Sequence, residues 1–264
     1  MDKVFSTKFD DKEMEYIHFG KDGGEKLVIL PGLALKSVMG SAEAIVNAYS
    51  ILAEDFDIYL FDHIKEEPKG YSIKDMAKDI LKAFDNVGID KAHIMGVSMG
   101  GMASQELALM DRSKVLSLIL CSTAAKVKGT DTKVFDEWED LAKEGDAKEL
   151  SKAFGRYVYT PDFYEQYKDI IDASGDGAGN LDFVNFLISI KAIKEFDALE
   201  GIKTLDLPAF VIAAGEDRVL GPKAGLELKD ALKCSYYVYE GKGHGVYDEA
   251  PDYLQRIKDH LKKF

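Results

Sequence analysis

Ala92-His93-Ile94-Met95-Gly96-Val97-Ser98-Met99-Gly100-Gly101-Met102 is the stretch from which the fold is read. Its first four residues form a short, nearly continuous apolar run, as expected of a strand covered on both faces. Its end opens an apolar segment that continues through Leu107, Leu109 and Met110 and reads as a helix. Gly96-Val97-Ser98-Met99-Gly100 alone is a weak signal in a chain with 23 glycines. Set between a buried strand and a helix it becomes strong, because glycines on either side let backbones close around a strained turn that exposes the serine hydroxyl. Ser98 is thus the candidate nucleophile; a serine that only caps the helix is the alternative.

A serine hydroxyl is a poor nucleophile until a neighbouring base takes its proton. The chain has five histidines. His18 and His93 fall in expected strands, His63 follows one, and His260 sits in an expected terminal helix among solvated residues. His244 lies in Gly241-Lys242-Gly243-His244-Gly245, a flexible loop after the last strand that could bring the ring over Ser98. The same glycines resemble part of a dinucleotide fingerprint, but no helix is expected to begin there. The imidazole then needs a carboxylate to fix its tautomer. Asp217, in Ala214-Gly215-Glu216-Asp217-Arg218, gives the chain order Ser, Asp, His; Glu216 is the alternative one residue away. Two backbone N–H donors are needed for a developing oxyanion. Met99 offers one, and Leu33, at the turn Leu30-Pro31-Gly32-Leu33, offers the other unless this is a plain Pro-Gly turn.

Outward from this centre, Val4–Phe9 and Glu13–Phe19 alternate apolar and polar residues and read as an antiparallel pair. Runs around 27–30, 58–61, 93–95 and 115–120 read as buried parallel strands, separated by helices such as Lys74–Val87 with Ser72 and Asp75 at its start. This α/β rhythm stops after Leu120 and resumes at Pro208. About 80 intervening residues read as helix and loop, with Trp138, the tyrosines Tyr157, Tyr159, Tyr164 and Tyr167, and a glycine tract at 175–179 expected to be a solvated loop between helices. The organisation expected is a core from residues 1–124, a helical cap at 125–206 whose aromatic residues face Ser98, and the rest of the core at 207–264. The second core part holds a helix near Lys223–Leu232, a strand Tyr236–Tyr239 and a last helix from about Pro251.

Composition narrows the function. The 264 residues carry 34 Lys and Arg against 47 Asp and Glu, a formal charge of -13, which repels phosphate backbones and anionic lipid. Nucleic-acid binding is not expected. Neither a signal peptide nor an apolar run of membrane-spanning length is read, so the expected location is cytoplasmic. Cys121 and Cys234 stand far apart and suggest buried reduced thiols, with no disulfide framework or zinc site.

Taken together, Leu30-Pro31-Gly32-Leu33, Gly96-Val97-Ser98-Met99-Gly100-Gly101-Met102, Ala214-Gly215-Glu216-Asp217 and Gly243-His244 with Glu249-Ala250-Pro251 resemble the α/β-hydrolase superfamily. The resemblance implies an α/β fold with a mostly parallel eight-stranded sheet flanked by helices, and a helical cap over Ser98 inserted after the sixth strand. It is similar to small capped esterases, enol-lactonases and C–C bond hydrolases, none of which requires a cofactor. Two departures stand out: Pro31-Gly32 replaces the family's His-Gly, and the usual Asp-x-Arg-Gly-x-Gly-x-Ser is reduced to Asp62-His63-Ile64 and then Gly70-Tyr71-Ser72. His63 is expected to be a surface histidine, with a substrate contact as the alternative. The function expected is hydrolysis of a small ester through an acyl-enzyme, with a lactone or a C–C bond as alternative substrates and a non-catalytic ligand receptor as an alternative of another class.

Overall fold

The computed structural model describes residues 4–263. Eight strands form one sheet: β1 (Val4–Phe9), β2 (Lys12–Gly20), β3 (Glu25–Leu30), β4 (Phe56–Ile64), β5 (Ala92–Val97), β6 (Val115–Cys121), β7 (Ala209–Ala214) and β8 (Ser235–Tyr239), in the order β1-β2-β4-β3-β5-β6-β7-β8. Only β2 runs against its neighbours; every pairing from β4 to β8 is parallel. The fold class expected from the sequence is the one observed.

Helices α1 (Ala42–Ala48) and α2 (Ser50–Ala53) join β3 to β4, α3 (Ile73–Val87) joins β4 to β5, and α4 (Met99–Met110) joins β5 to β6. Between β6 and β7 lie α5 (Lys133–Glu144), α6 (Ala147–Val158), α7 (Pro161–Asp172), α8 (Asn180–Lys194) and α9 (Leu199–Ile202). The glycine tract at 175–179 is the loop between α7 and α8. Finally come α10 (Ala224–Leu232), α11 (Val246–Glu249) and α12 (Tyr253–Leu261). No helix among the described residues is long and apolar enough to cross a membrane.

The apolar runs are continuous because each central strand is covered twice. Val28, Leu30, Ile94, Leu118 and Leu120 enter one core layer with α3, α4 and the helices after β6, while Leu27, Ile29, Met95, Ile119 and Cys121 enter the other with α1, α2 and α12. Successive side chains of a strand point to opposite faces, so one run supplies both layers. Helix α3 starts as its sequence suggests: the Ser72 hydroxyl accepts from the Asp75 N–H, the Asp75 carboxylate accepts from the Ser72 N–H, and Gly88 ends it at φ 75°.

Several local expectations fail. His63 lies inside β4 rather than after it. A one-turn helix, α11, does begin directly after Gly245. Cys121 is buried but Cys234 only half so. His260 is not among solvated groups: it is 5% exposed and its ring stacks on Phe210 with centroids 4.5 Å apart. Its neighbours Lys258 and Lys263 are charged, but the helix face that carries it turns to the sheet.

Two outcomes follow from this packing. A Cβ at Gly100 would collide with the Leu30 carbonyl oxygen and lie 2.5 Å from the Pro31 oxygen, whereas one at Gly40 would meet nothing within 4 Å. Gly100→Ala should therefore lower stability in urea by about 3 kcal/mol, as overpacking does, with Gly40→Ala near native. Equal stability of the two variants would contradict this contact. Burial also holds His260 down to about 4 and lowers His93. The unfolded chain, with histidines near 6.5, then binds protons the folded one refuses, so this contribution is full above about pH 6.5 and is lost as pH falls towards 4. Burial raises the carboxyls of Glu67 and Glu106, which act in the opposite sense, so the readout is a difference. His260→Phe should show a shallower loss of urea stability between pH 7 and 4.5 than the native chain; parallel profiles would refute the assignment.

Candidate active site

The chain crosses from β3 to β4 on one side and back to β5 on the other, so the carboxyl ends of β3 and β5 flank a switch point in strand order. Open α/β sheets place ligands at such a point. The end of β3 carries Pro31-Gly32-Leu33, and the end of β5 carries Ser98. Ser98 has φ 52° and ψ -116°, a sparsely populated conformation for a residue with a side chain. It is held by its N–H donating to the Cys121 carbonyl at 2.9 Å and its own carbonyl accepting the Thr123 hydroxyl at 2.7 Å. Its hydroxyl makes no capping bond to α4.

That hydroxyl instead faces His244, with Oγ 3.0 Å from Nε2. The other ring nitrogen, Nδ1, is 2.8 Å from Oδ2 of Asp217. An ionised carboxylate only accepts, so Nδ1 carries the proton and Nε2 is free to accept from Ser98. Asp217 is 6% exposed, and its second oxygen accepts from the N–H groups of Val219 and Leu220 at 2.8 and 2.9 Å. Burial by itself raises the Asp217 carboxyl, but the charge of His244 whenever the ring is protonated, its hydrogen bond and these two amides outweigh it, and the net direction is downward. Glu216 is exposed, with no bond to the ring. Of the five histidines only His244 reaches Ser98; His18, for example, stacks on Tyr59 and meets Asp57 at 2.7 Å.

Leu33 and Met99 are both buried, and a Cβ on Gly32 would sit 3.2 Å from Cβ of Ser98, so the β3 loop lies directly against the serine. Two spaces open from this point. A small one of about 30 Å³ adjoins Ser98 and His244 under Phe135, Trp138, Phe154 and Val158. A larger one of about 240 Å³ starts at Leu33 and Met99 and runs between Asp62, His63 and Glu67 on the sheet side and Asn185 and Ser189 of α8. His63 is half-buried on that wall rather than on an open surface.

Aromatic residues of the insertion do face Ser98, Trp138 among them as expected, but its tyrosines are not part of that cover. Trp138 stacks on Phe154 at 4.5 Å and meets Phe135 edge-on at 5.6 Å, but the four tyrosines lie elsewhere. Tyr157, Tyr159 and Tyr164 spend their hydroxyls on Glu137, Asp248 and Asp172, and Tyr167 is exposed. Tyr247, outside the insertion, is the tyrosine that lines the small space. Phe135 could have been found from its three-residue spacing to Trp138 on one helical face, and Phe154 from the same spacing to Tyr157.

Among the described residues no group of three or more His, Cys, Asp or Glu is placed to hold a metal ion. RutD of Pseudomonas savastanoi pv. phaseolicola, named a carbamate hydrolase, is 24% identical over 233 residues, covering 84% of this chain and 90% of that protein. Among solved structures, an α/β hydrolase from a Medee basin deep-sea metagenome library has a TM-score of 0.86 at 18% identity and covers 98% of this chain and 97% of its own. The enol-lactonase of Burkholderia xenovorans has a TM-score of 0.85 at 21% identity, over 98% of this chain and 100% of its own. The family described as alpha/beta hydrolase fold matches residues 26–251, from β3 past His244, and the chain belongs to that family.

Proposed function

We propose that this hydrolase cleaves a small carbonyl substrate of the ester class by way of a covalent acyl-enzyme on Ser98. The observation that carries the reading is the unbroken chain Asp217, His244, Ser98, at 2.8 and 3.0 Å, ending on a strained serine with a small apolar space beside it and a larger one that starts at the neighbouring Leu33 and Met99. Ser98 Oγ attacks the carbonyl carbon while His244 Nε2 takes its proton. The N–H groups of Leu33 and Met99 receive the oxyanion. The tetrahedral adduct collapses, the bond to the leaving oxygen breaks, and His244 returns the proton to that oxygen. A water then gives its proton to His244 and attacks the acyl carbon; the bond to Ser98 Oγ breaks, and His244 returns the proton to that oxygen as the acid leaves. Asp217, kept ionised by its bonds, stabilises the imidazolium in both halves.

The relatives named carbamate hydrolase and enol-lactonase favour a second substrate class for the same residues, a carbamate or a lactone, whose carbonyl is attacked in the same way. The fold also permits a receptor that only binds; catalytic turnover separates that reading from this one.

Ser98→Ala should remain folded, lose labelling by a fluorophosphonate probe and lose turnover of short esters and lactones by several orders of magnitude. Native-level labelling of Ser98→Ala would place the nucleophile elsewhere. Asp217→Asn should keep binding but lower kcat by about 10³–10⁴, because the amide presents the wrong hydrogen-bond polarity to Nδ1. Glu216→Gln should stay near native, and a large loss there, with Asp217→Asn fully active, would reverse the assignment.

A further inference from the structure

The loop Gly241–Gly245 that carries His244 is three-fifths glycine and has few side chains with which to fix itself. It is held on one side by the Glu216 N–H, which donates to the Lys242 carbonyl at 2.9 Å, and on the other by the junction of α6 and α7, three consecutive residues some 85 positions earlier in the chain. The Gly245 N–H donates to the Val158 carbonyl at 2.8 Å. The Tyr159 hydroxyl donates to Asp248 at 2.7 Å, and the Tyr159 carbonyl accepts from Arg218, the residue after Asp217. Thr160 donates twice to one carboxylate: its N–H to Oε1 of Glu249 at 2.7 Å and its hydroxyl to Oε2 at 2.9 Å. Glu249 is 6% exposed, so both bonds are shielded and charge-assisted. Gly243 has the junction laid on it so closely that a Cβ there would be 2.7 Å from the Val158 oxygen and 2.9 Å from the Thr160 nitrogen.

We infer that Glu249 and Thr160 are positioning residues for His244, clamping the helical insertion onto the loop that aims the imidazole at Ser98. Neither touches the ring, whose own partners are Asp217 and Ser98. They act through the backbone on either side of it: Glu249 ends the single turn α11, and Thr160 holds that turn at a fixed distance from the insertion. The insertion is then part of the proton-transfer apparatus as well as a cover. The inference rests on His244 acting as the base, so its test includes a readout of ring position that needs no hydrolysis.

The variants are made in the full chain: Glu249→Ala, Thr160→Val, Thr160→Ser and the double Glu249→Ala/Thr160→Val. Tyr164→Phe serves as control, removing a 2.6 Å bond to Asp172 within the same insertion but away from the loop. With esters, Glu249→Ala should lower kcat on the order of 10²-fold, the cost of a small misplacement of a reacting group, with KM held within about twofold. Thr160→Val should lose less, because its N–H remains, and Thr160→Ser should restore the rate. The double variant should be no slower than Glu249→Ala, since both break one clamp. Proton NMR should find the downfield Nδ1–H resonance of His244 shifted or lost in Glu249→Ala and unchanged in Tyr164→Phe. A native kcat and native resonance in folded Glu249→Ala would overturn the inference, as would an equal loss in Tyr164→Phe, which would mean general loosening. If Glu249→Ala does not fold, the Thr160→Val and Thr160→Ser pair decides on the same readouts. A native chain that hydrolyses nothing would defeat the hydrolytic reading while leaving the clamp to stand or fall on the resonance.

Discussion

The approach of Gly100 to the carbonyls of Leu30 and Pro31 is the contact on which the site depends. It allows helix α4 to start directly against the end of β3, and so brings the Leu33 turn alongside Ser98. Gly101 plays the same part on the other side, where a Cβ would be 2.6 Å from Cγ2 of Thr123, whose hydroxyl holds the Ser98 carbonyl. Any side chain at these positions forces apart the ends of β3, β5 and β6. The strained backbone of Ser98 is then a consequence of packing supplied by three neighbouring strands, and the surrounding core overdetermines it.

Much of this was legible because it is local or periodic. A serine between glycines, preceded by a two-sided apolar strand and followed by an apolar helix, encodes a turn whose geometry is fixed within a dozen residues. The buried strands announce themselves because both faces are covered, and their order relative to helices dictates a parallel sheet. His244 could be separated from four other histidines because it alone sits in a glycine loop after a strand, whereas chain order points to the 216–217 pair without separating Asp217 from Glu216. The structure brings Ser98, His244 and Asp217 into hydrogen-bonded sequence and leaves Glu216 exposed.

What was not legible depends on contacts between distant segments. Glu249 stood in view beside Pro251, but its partner Thr160 is 89 positions away, and nothing in a single sequence joins them. His260 is flanked by lysines and an aspartate that read as solvated, while the Phe210 ring that buries it lies on β7. The tyrosines of the insertion suggested an aromatic ceiling over Ser98. Their hydroxyls have to be satisfied, and carboxylates on Glu137, Asp172 and Asp248 draw them aside, leaving Phe135, Trp138 and Phe154 to close the apolar space. Polar satisfaction, which depends on tertiary neighbours, decided which aromatic residues of the insertion face the serine.

The central claim is that one serine, one imidazole and two amides form a site for a tetrahedral adduct. It is tested most directly by a crystal structure with a small alkylboronic acid, which becomes tetrahedral on a reactive hydroxyl and imitates that adduct. The expected result is boron bonded to Ser98 Oγ, with one boronate oxygen within hydrogen-bond distance of the Leu33 and Met99 nitrogens and another facing His244 Nε2. Boron on a different residue, or an adduct at Ser98 whose oxygens meet neither amide, would contradict the account.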